Sequence, residues 1–314
     1  MASIFKQLTS NDVASTKTLL HEAIPLTGTI VSGTYSDNNI KNYAHGMFQS
    51  VYDYPFLSSS ANHIFDITFG YANSSPLSSS TNTQNAKKIN IYNQMAQVLV
   101  GYDKTGSVQL FDQDGDFFGT TTDKMKEVIF INFSRLLSKD EVKKGSFQLE
   151  IGTKSAFAQD GTVFTERIQI TDANGDSSYL VNSPAGEYGI LFATQSAGTD
   201  ILKSNASFQV GLIYYQAGVA VVSGSIFNDE AKGGILNNSK NHSIMTSTGI
   251  DFNQLLTGSA ISASADALRT RFFNTQFNNT VELNSTIYFC RANHNEFNYS
   301  ANPTYLSGST INVN

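Results

Sequence analysis

Short glycine-containing turns cut the second half of this chain into pieces of strand length, and that punctuation most constrains what it can fold into. Asp160-Gly161, Asn174-Gly175, Ala185-Gly186 and Ala217-Gly218 separate the runs Thr162 to Ile170, Glu187 to Thr194, Ser207 to Tyr215 and Val219 to Phe227. Glycine reaches the positive φ values that tight reversals need, so consecutive runs return antiparallel to one another. Ser207 to Phe227 reads as one long hairpin. Val128 to Phe133 is apolar on both faces, which predicts a central strand. Phe147, Leu149 and Ile151 alternate with Ser146, Gln148 and Glu150, and Phe65, Ile67, Phe69 and Tyr71 alternate with Asp66, Thr68 and Gly70; both predict half-buried strands.

Helical spacing is concentrated upstream. Ile40, Tyr43, Ala44, Met47, Phe48 and Val51 fall on one stripe, predicting a helix from Asn38 to Asp53 closed by Pro55. A second stripe, Ile89, Tyr92, Met95, Ala96 and Leu99, has Asn82 or Thr83 as candidate N-caps, Gly101 as the C-cap residue, and Lys87, Lys88, Asn93 and Gln97 on its polar face. The serine-rich stretch between Ser74 and Asn85 reads as an exposed loop. Ser138 and Glu141 suggest a capping box for one short turn ended by Gly145, and Ala263 to Phe273 suggests a third helix with Ala267, Leu268 and Phe272 inward. Two strands follow, Thr280 to Leu283 and Thr286 to Ala292. The fold class expected is α+β: β-rich with antiparallel, sandwich-like sheets plus two or three amphipathic helices, mainly in the N-terminal third. The expected organisation is a helix-bearing region 1–103 and a β-rich region 104–314, or one continuous domain.

Composition narrows the function. The chain has 314 residues with a formal charge of −6, and only 15% of them are charged. A phosphate-binding surface needs clustered Lys and Arg, so nucleic acid is not the expected partner. One Cys permits no intramolecular disulfide framework. No run approaches the ~18 apolar residues of a membrane span, so neither a span nor a signal peptide is expected. A chain of this size can bury about three quarters of its surface and needs no staples.

Few residues suggest chemistry. Asp112-Gln113-Asp114-Gly115-Asp116 alternates carboxylates as a calcium loop does, but glycine falls at the fourth position and Asp123 stands where a bidentate Glu is wanted, so it reads as a solvent-exposed hairpin turn. Asp172-Ala173-Asn174-Gly175-Asp176 reads the same way. The histidines His21, His45, His63, His242 and His294 show no metal spacing. Cys290, in a strand pattern near His294 and Glu296, is expected to be a buried structural residue. No GxSxG, Walker or GxGxxG pattern occurs, although a glycosidase-type carboxylate pair leaves no sequence trace. The expectation is therefore a chain that is not an enzyme and takes no cofactor or metal. Tyr52, Tyr54 and Phe56, and Phe297, Tyr299, Tyr305 and Leu306, stand out as apolar side chains among polar ones; they fit a subunit contact, a sugar platform or ordinary packing.

Three segments carry a resemblance: SGTYSDNNIKNYAHGMFQSVYDYPFLSSSANHIFDITFGY (32–71), NTQNAKKINIYNQMAQVLVGYD (82–103) and YFCRANHNEFNYSANPTYLSG (288–308). Together, about a quarter of the chain, they resemble a virion structural protein of T4-like marine myophages, the kind that infects cyanobacteria. The resemblance implies a particle component of the tail or baseplate, made in the host cytoplasm, partnered by other virion proteins and by copies of itself in a ring or multi-copy assembly. It implies no catalytic or binding residue set. The family's usual form continues beyond the NPTYLSGS-like segment into further strands, which leaves open whether a partner completes the terminal strand. A receptor- or glycan-binding tail module and a neck component are the alternatives.

Overall fold

A computed structural model describes residues 8–26, 37–117, 123–153, 164–237 and 252–290, together with the short strands at 306–307 and 310–311. The strands are β1 (Val13–Pro25), β2 (Ile40–Asn42), β3 (Gln49–Tyr52), β4 (His63–Tyr71), β5 (Phe111–Asp112), β6 (Lys124–Met125), β7 (Glu127–Phe133), β8 (Glu141–Val142) and β9 (Gln148–Gly152). They continue as β10 (Arg167–Thr171), β11 (Leu180–Ser183), β12 (Gly186–Ala197), β13 (Phe208–Tyr214), β14 (Val219–Ser223), β15 (Phe272–Tyr288), β16 (Leu306–Ser307) and β17 (Thr310–Ile311). The helices are α1 (Asn85–Leu99), α2 (Arg135–Ser138), α3 (Gly175–Ser178), α4 (Phe252–Gly258) and α5 (Ile261–Arg269).

Two compact units are present, one of residues 1–20 and 282–314, the other His21–Val281. Thirteen strands join one sheet in the order β1-β15-β9-β10-β12-β13-β14-β7-β4-β3-β2, with β11 beside β12 and β8 beside β15. The registered pairings along it are antiparallel. β4 and β7, on opposite sides of residue 103, are direct neighbours.

β7 lies between β14 and β4, and it is apolar on both faces because each face packs into a core cluster. Ile129, Ile131 and Phe133 enter one cluster while Val128 and Phe130 enter another; in β14, Ala220 and Val222 divide from Val219 and Val221 in the same way. On the first face the larger unit's sheet curls back over itself. The ring of Phe133 lies 5.0 Å from Phe277 on β15 and 5.8 Å from Phe147, and Phe65 on β4 lies 5.7 Å from Phe272. The second face is covered by α1, through Ile91, Tyr92, Ala96 and Leu99.

The hairpin of β13 and β14 forms as expected, as does α1. Gly101 has φ of +94° and its N–H donates to the Ala96 carbonyl at 2.9 Å, the C-cap role its position suggested. The N-terminal cap is different: neither Asn82 nor Thr83 serves, and Gln84, in the left-handed region, precedes the helix.

Other expectations are corrected. Residues 38–53 form no helix but the strands β2 and β3, paired to each other, with β3 continuing onto β4. The supposed stripe is produced by two short strands around a turn closed by Gly46, whose N–H donates to the Tyr43 carbonyl and whose φ is +63°. Within a helix that glycine would cost about 1 kcal/mol, whereas sheet pairing uses it. Among the described residues the α-helices are accordingly not mainly N-terminal: α1 lies in the first third, and α2 to α5 follow it. The short helical turn α2 ends at Ser138, where it was expected to begin, and α5 starts two residues earlier than expected and ends before Phe272. The two expected C-terminal strands are one continuous strand, β15.

Candidate functional site

The smaller unit contains the most unusual surface. The residues of β1 up to Leu20 and those of β15 from Glu282 make an antiparallel ribbon. The Phe289 N–H donates to the Asp12 carbonyl at 2.8 Å, the hydroxyls of Ser15 and Thr286 lie 3.4 Å apart, and Lys17 pairs with Glu282 at 2.5 Å. Lys17 and the Asn284 amide hold the Glu282 carboxyl below its ordinary range. Ahead of β1, Asp12 accepts from the N–H and hydroxyl of Thr9 at 2.9 and 2.8 Å, fixing the entering turn.

Successive side chains of a strand point to opposite faces, so a run of consecutively exposed residues means that neither face is covered. Residues 15–20 and 282–290 are such runs. They carry apolar groups into solvent: Leu20 is 51% exposed, Tyr288 60% and Phe289 57%, with Leu19, Leu283 and Ile287 similar. Cys290 is exposed at the end of this ribbon, which corrects the expectation of burial; a strand pattern implies a buried face only where a second layer lies on it.

The residues singled out as contact candidates are distributed as follows. Tyr52 is half-buried at the end of β3, its ring 5.6 Å from that of His63, and burial, the nearby Tyr43 and Asp66 raise its pKa. Tyr54 is exposed, with its N–H held by Asp53 Oδ1 at 2.8 Å, and Phe56 is half-buried with its N–H donating to the Asn38 carbonyl. Beside them Leu57 is 86% exposed. Phe297, Tyr299 and Tyr305 lie outside the described residues; Leu306 belongs to β16, whose backbone pairs with β17. Sequence reasoning missed the ribbon because alternating Thr, Leu and Ser can equally face a core.

The acidic segment departs from the solvent-exposed hairpin turn expected, because its first member lies buried in a strand, and it gathers its carboxylates: oxygens of Asp112, Asp114 and Asp116 all lie within 4.8 Å of one another. Asp112 is fully buried on β5 and is neutralised across the β5–β6 pair by the Lys124 ammonium. Burial pushes the Asp112 carboxyl up to about 6 against the opposing pull of Lys124. Three carboxylates against one ammonium could attract a cation, but the buried member already holds its counter-charge. Asp172 acts as a clamp: its two oxygens accept from the N–H groups of Gly145 and Phe147, each at 2.8 Å, closing the turn before β9.

Lys88, expected on the polar face of α1, is fully buried. Its ammonium donates to the carbonyls of Leu256 and, at 2.8 Å, Ser259, which lie at the C-terminal end of α4. Burial lowers its pKa to about 8.

No family model, no curated protein and no solved structure matches this chain.

Proposed function

We propose that the chain is a non-enzymatic structural protein of a contractile-tailed bacteriophage virion, a tail or baseplate component that acts through contacts with other virion proteins and with copies of itself. The observation that carries the proposal is the ribbon of β1 and β15. A two-stranded ribbon with both faces wet is marginal in water, and exposed Leu, Ile, Tyr and Phe on it become stabilising only when another subunit covers them. Burying such side chains contributes about 1.5–3 kcal/mol each. The same reading takes the curled sheet as sandwich-like, with the contacts of Phe133 and Phe65 to β15 as its support. Low charge and the resemblance of the segments 32–71, 82–103 and 288–308 to marine myophage virion proteins point the same way.

Purified particles of the phage that encodes the chain provide the test. Mass spectrometry is expected to find it in multiple copies, and a reconstruction is expected to show the ribbon against a neighbouring subunit. Particles that lack the chain would overturn the proposal. A Leu20→Lys/Ile287→Lys variant is expected to fold and stay soluble but to be left out of particles; normal incorporation would remove the ribbon from the assembly role.

A further inference from the structure

A cleft in the larger unit lies between the β6–β7 segment, the turn that follows β14, and the ends of β12 and β13. Its two compartments, of about 340 and 460 Å³, share the lining residues Gln113, Ser225 and Gly233. Together they fall in the range of small-ligand sites.

Its charge is opposite to that of the chain. Lys124, Lys126 and Lys232 line the first compartment and Lys203 the second, against a single acidic lining residue, Glu127. Glu127 accepts from the Ser75 hydroxyl, and Lys124 is engaged by Asp112. Lys126 and Lys203 make no ion pair among the described residues. In a chain with 20 basic and 26 acidic residues, an anion entering this concavity meets ammonium groups rather than carboxylates.

The remaining lining is suited to more than a bare anion. Phe192 and Phe208 are half-buried rings in the second compartment, and the Lys203 ammonium sits 5.5 Å from the Phe208 ring centroid. Gln113, Gln209 and Asn228 provide amides. A ring face, amides and ammonium groups are together the complement of a sugar ring that bears an acidic substituent.

We propose that this cleft binds an anionic saccharide, with the acidic group toward Lys126 and Lys203 and a sugar ring against Phe208. The proposal is independent of the assembly reading, because it is tested on the isolated chain.

Calorimetric titrations with trigalacturonate, its methyl ester, glucose 6-phosphate and inorganic phosphate provide the measurement. Binding of trigalacturonate or glucose 6-phosphate, at least tenfold tighter than the ester and than inorganic phosphate, is expected; which acid binds tells carboxylate from phosphate. Lys126→Gln and Lys203→Gln are each expected to weaken that binding at least fivefold with the melting temperature unchanged. Amide shift changes in the unmodified protein, expected at 113, 203–209 and 225–234, locate the site without any variant. No binding of either acid, equal binding of the ester or of inorganic phosphate, or shift changes confined elsewhere would each overturn the proposal.

Discussion

Gly70 on β4 lies directly against Tyr92 of α1: a Cβ built on the glycine would stand 2.9 Å from the Tyr92 backbone nitrogen and 2.8 Å from the Lys88 carbonyl oxygen. The helix therefore rests on strand backbone, and this close approach lets the Tyr92 ring reach Phe111 at 5.4 Å and its hydroxyl donate to the Met125 carbonyl at 2.8 Å. Gly70→Ala must push back helix backbone rather than a flexible side-chain end. A loss of about 1–3 kcal/mol is expected, as for overpacking, and denaturant unfolding checks it. An unchanged midpoint would show that α1 is not seated on β4.

Lys88 gives a pH dependence with a definite sign. Its folded pKa of about 8 lies below the ordinary 10.5, so between these values the unfolded chain binds more protons than the folded one. Stability then rises with pH through this window. The comparison belongs between pH 8 and 9.5, below the range where unfolded tyrosines ionise. The unmodified chain is expected to gain stability relative to Lys88→Met over that interval. The variant, which leaves the Leu256 and Ser259 carbonyls without this donor, is expected to be about 1–3 kcal/mol less stable at pH 9.5.

The pair of Asp112 and Lys124 predicts the opposite slope at acid pH. The Asp112 carboxyl is raised to about 6 from an ordinary 3.8, so the folded chain binds the extra proton between these values, and its contribution to stability declines as pH rises from about 4 to about 6. Lys124→Gln removes the counter-charge of a buried carboxylate. Its penalty is expected to be larger at pH 7.5 than at pH 5, where Asp112 can take up a proton instead. Melting curves of both proteins at the two pH values provide the check, and equal penalties would contradict the pairing.

Cys290 is exposed on the same ribbon as Tyr288 and Phe289, and it reports on the proposed interface. In the isolated native chain a thiol reagent is expected to label it nearly as fast as in denaturant. In intact particles the labelling is expected to slow at least tenfold. Slow labelling of the isolated chain would contradict the exposure; fast labelling within particles would place this end of the ribbon outside the contact.

The sequence by itself determined the elements whose signal is complete within a short window. Val128 to Phe133 is apolar on both sides and is central. The hairpin of β13 and β14 follows from Ala217-Gly218 between two apolar runs, and α1 follows from a stripe that ends at Gly101. Tertiary structure decided the rest, because long-range pairing outweighs local period. Residues 40–51 meet a helical spacing, yet β3 gains a full ladder on β4, and no local pattern reveals that partner. Lys88 reads as solvent-facing until the C-terminal end of α4 brings backbone carbonyls to it, and Asp112 reads as part of an exposed turn until β6 places Lys124 opposite. The ribbon is the reverse case. Thr286 to Tyr288 is legible as strand, whereas Val13 to Leu20 draws no strand reading from its own pattern; whether a strand face is buried depends on a second layer, and among the described residues none lies on these.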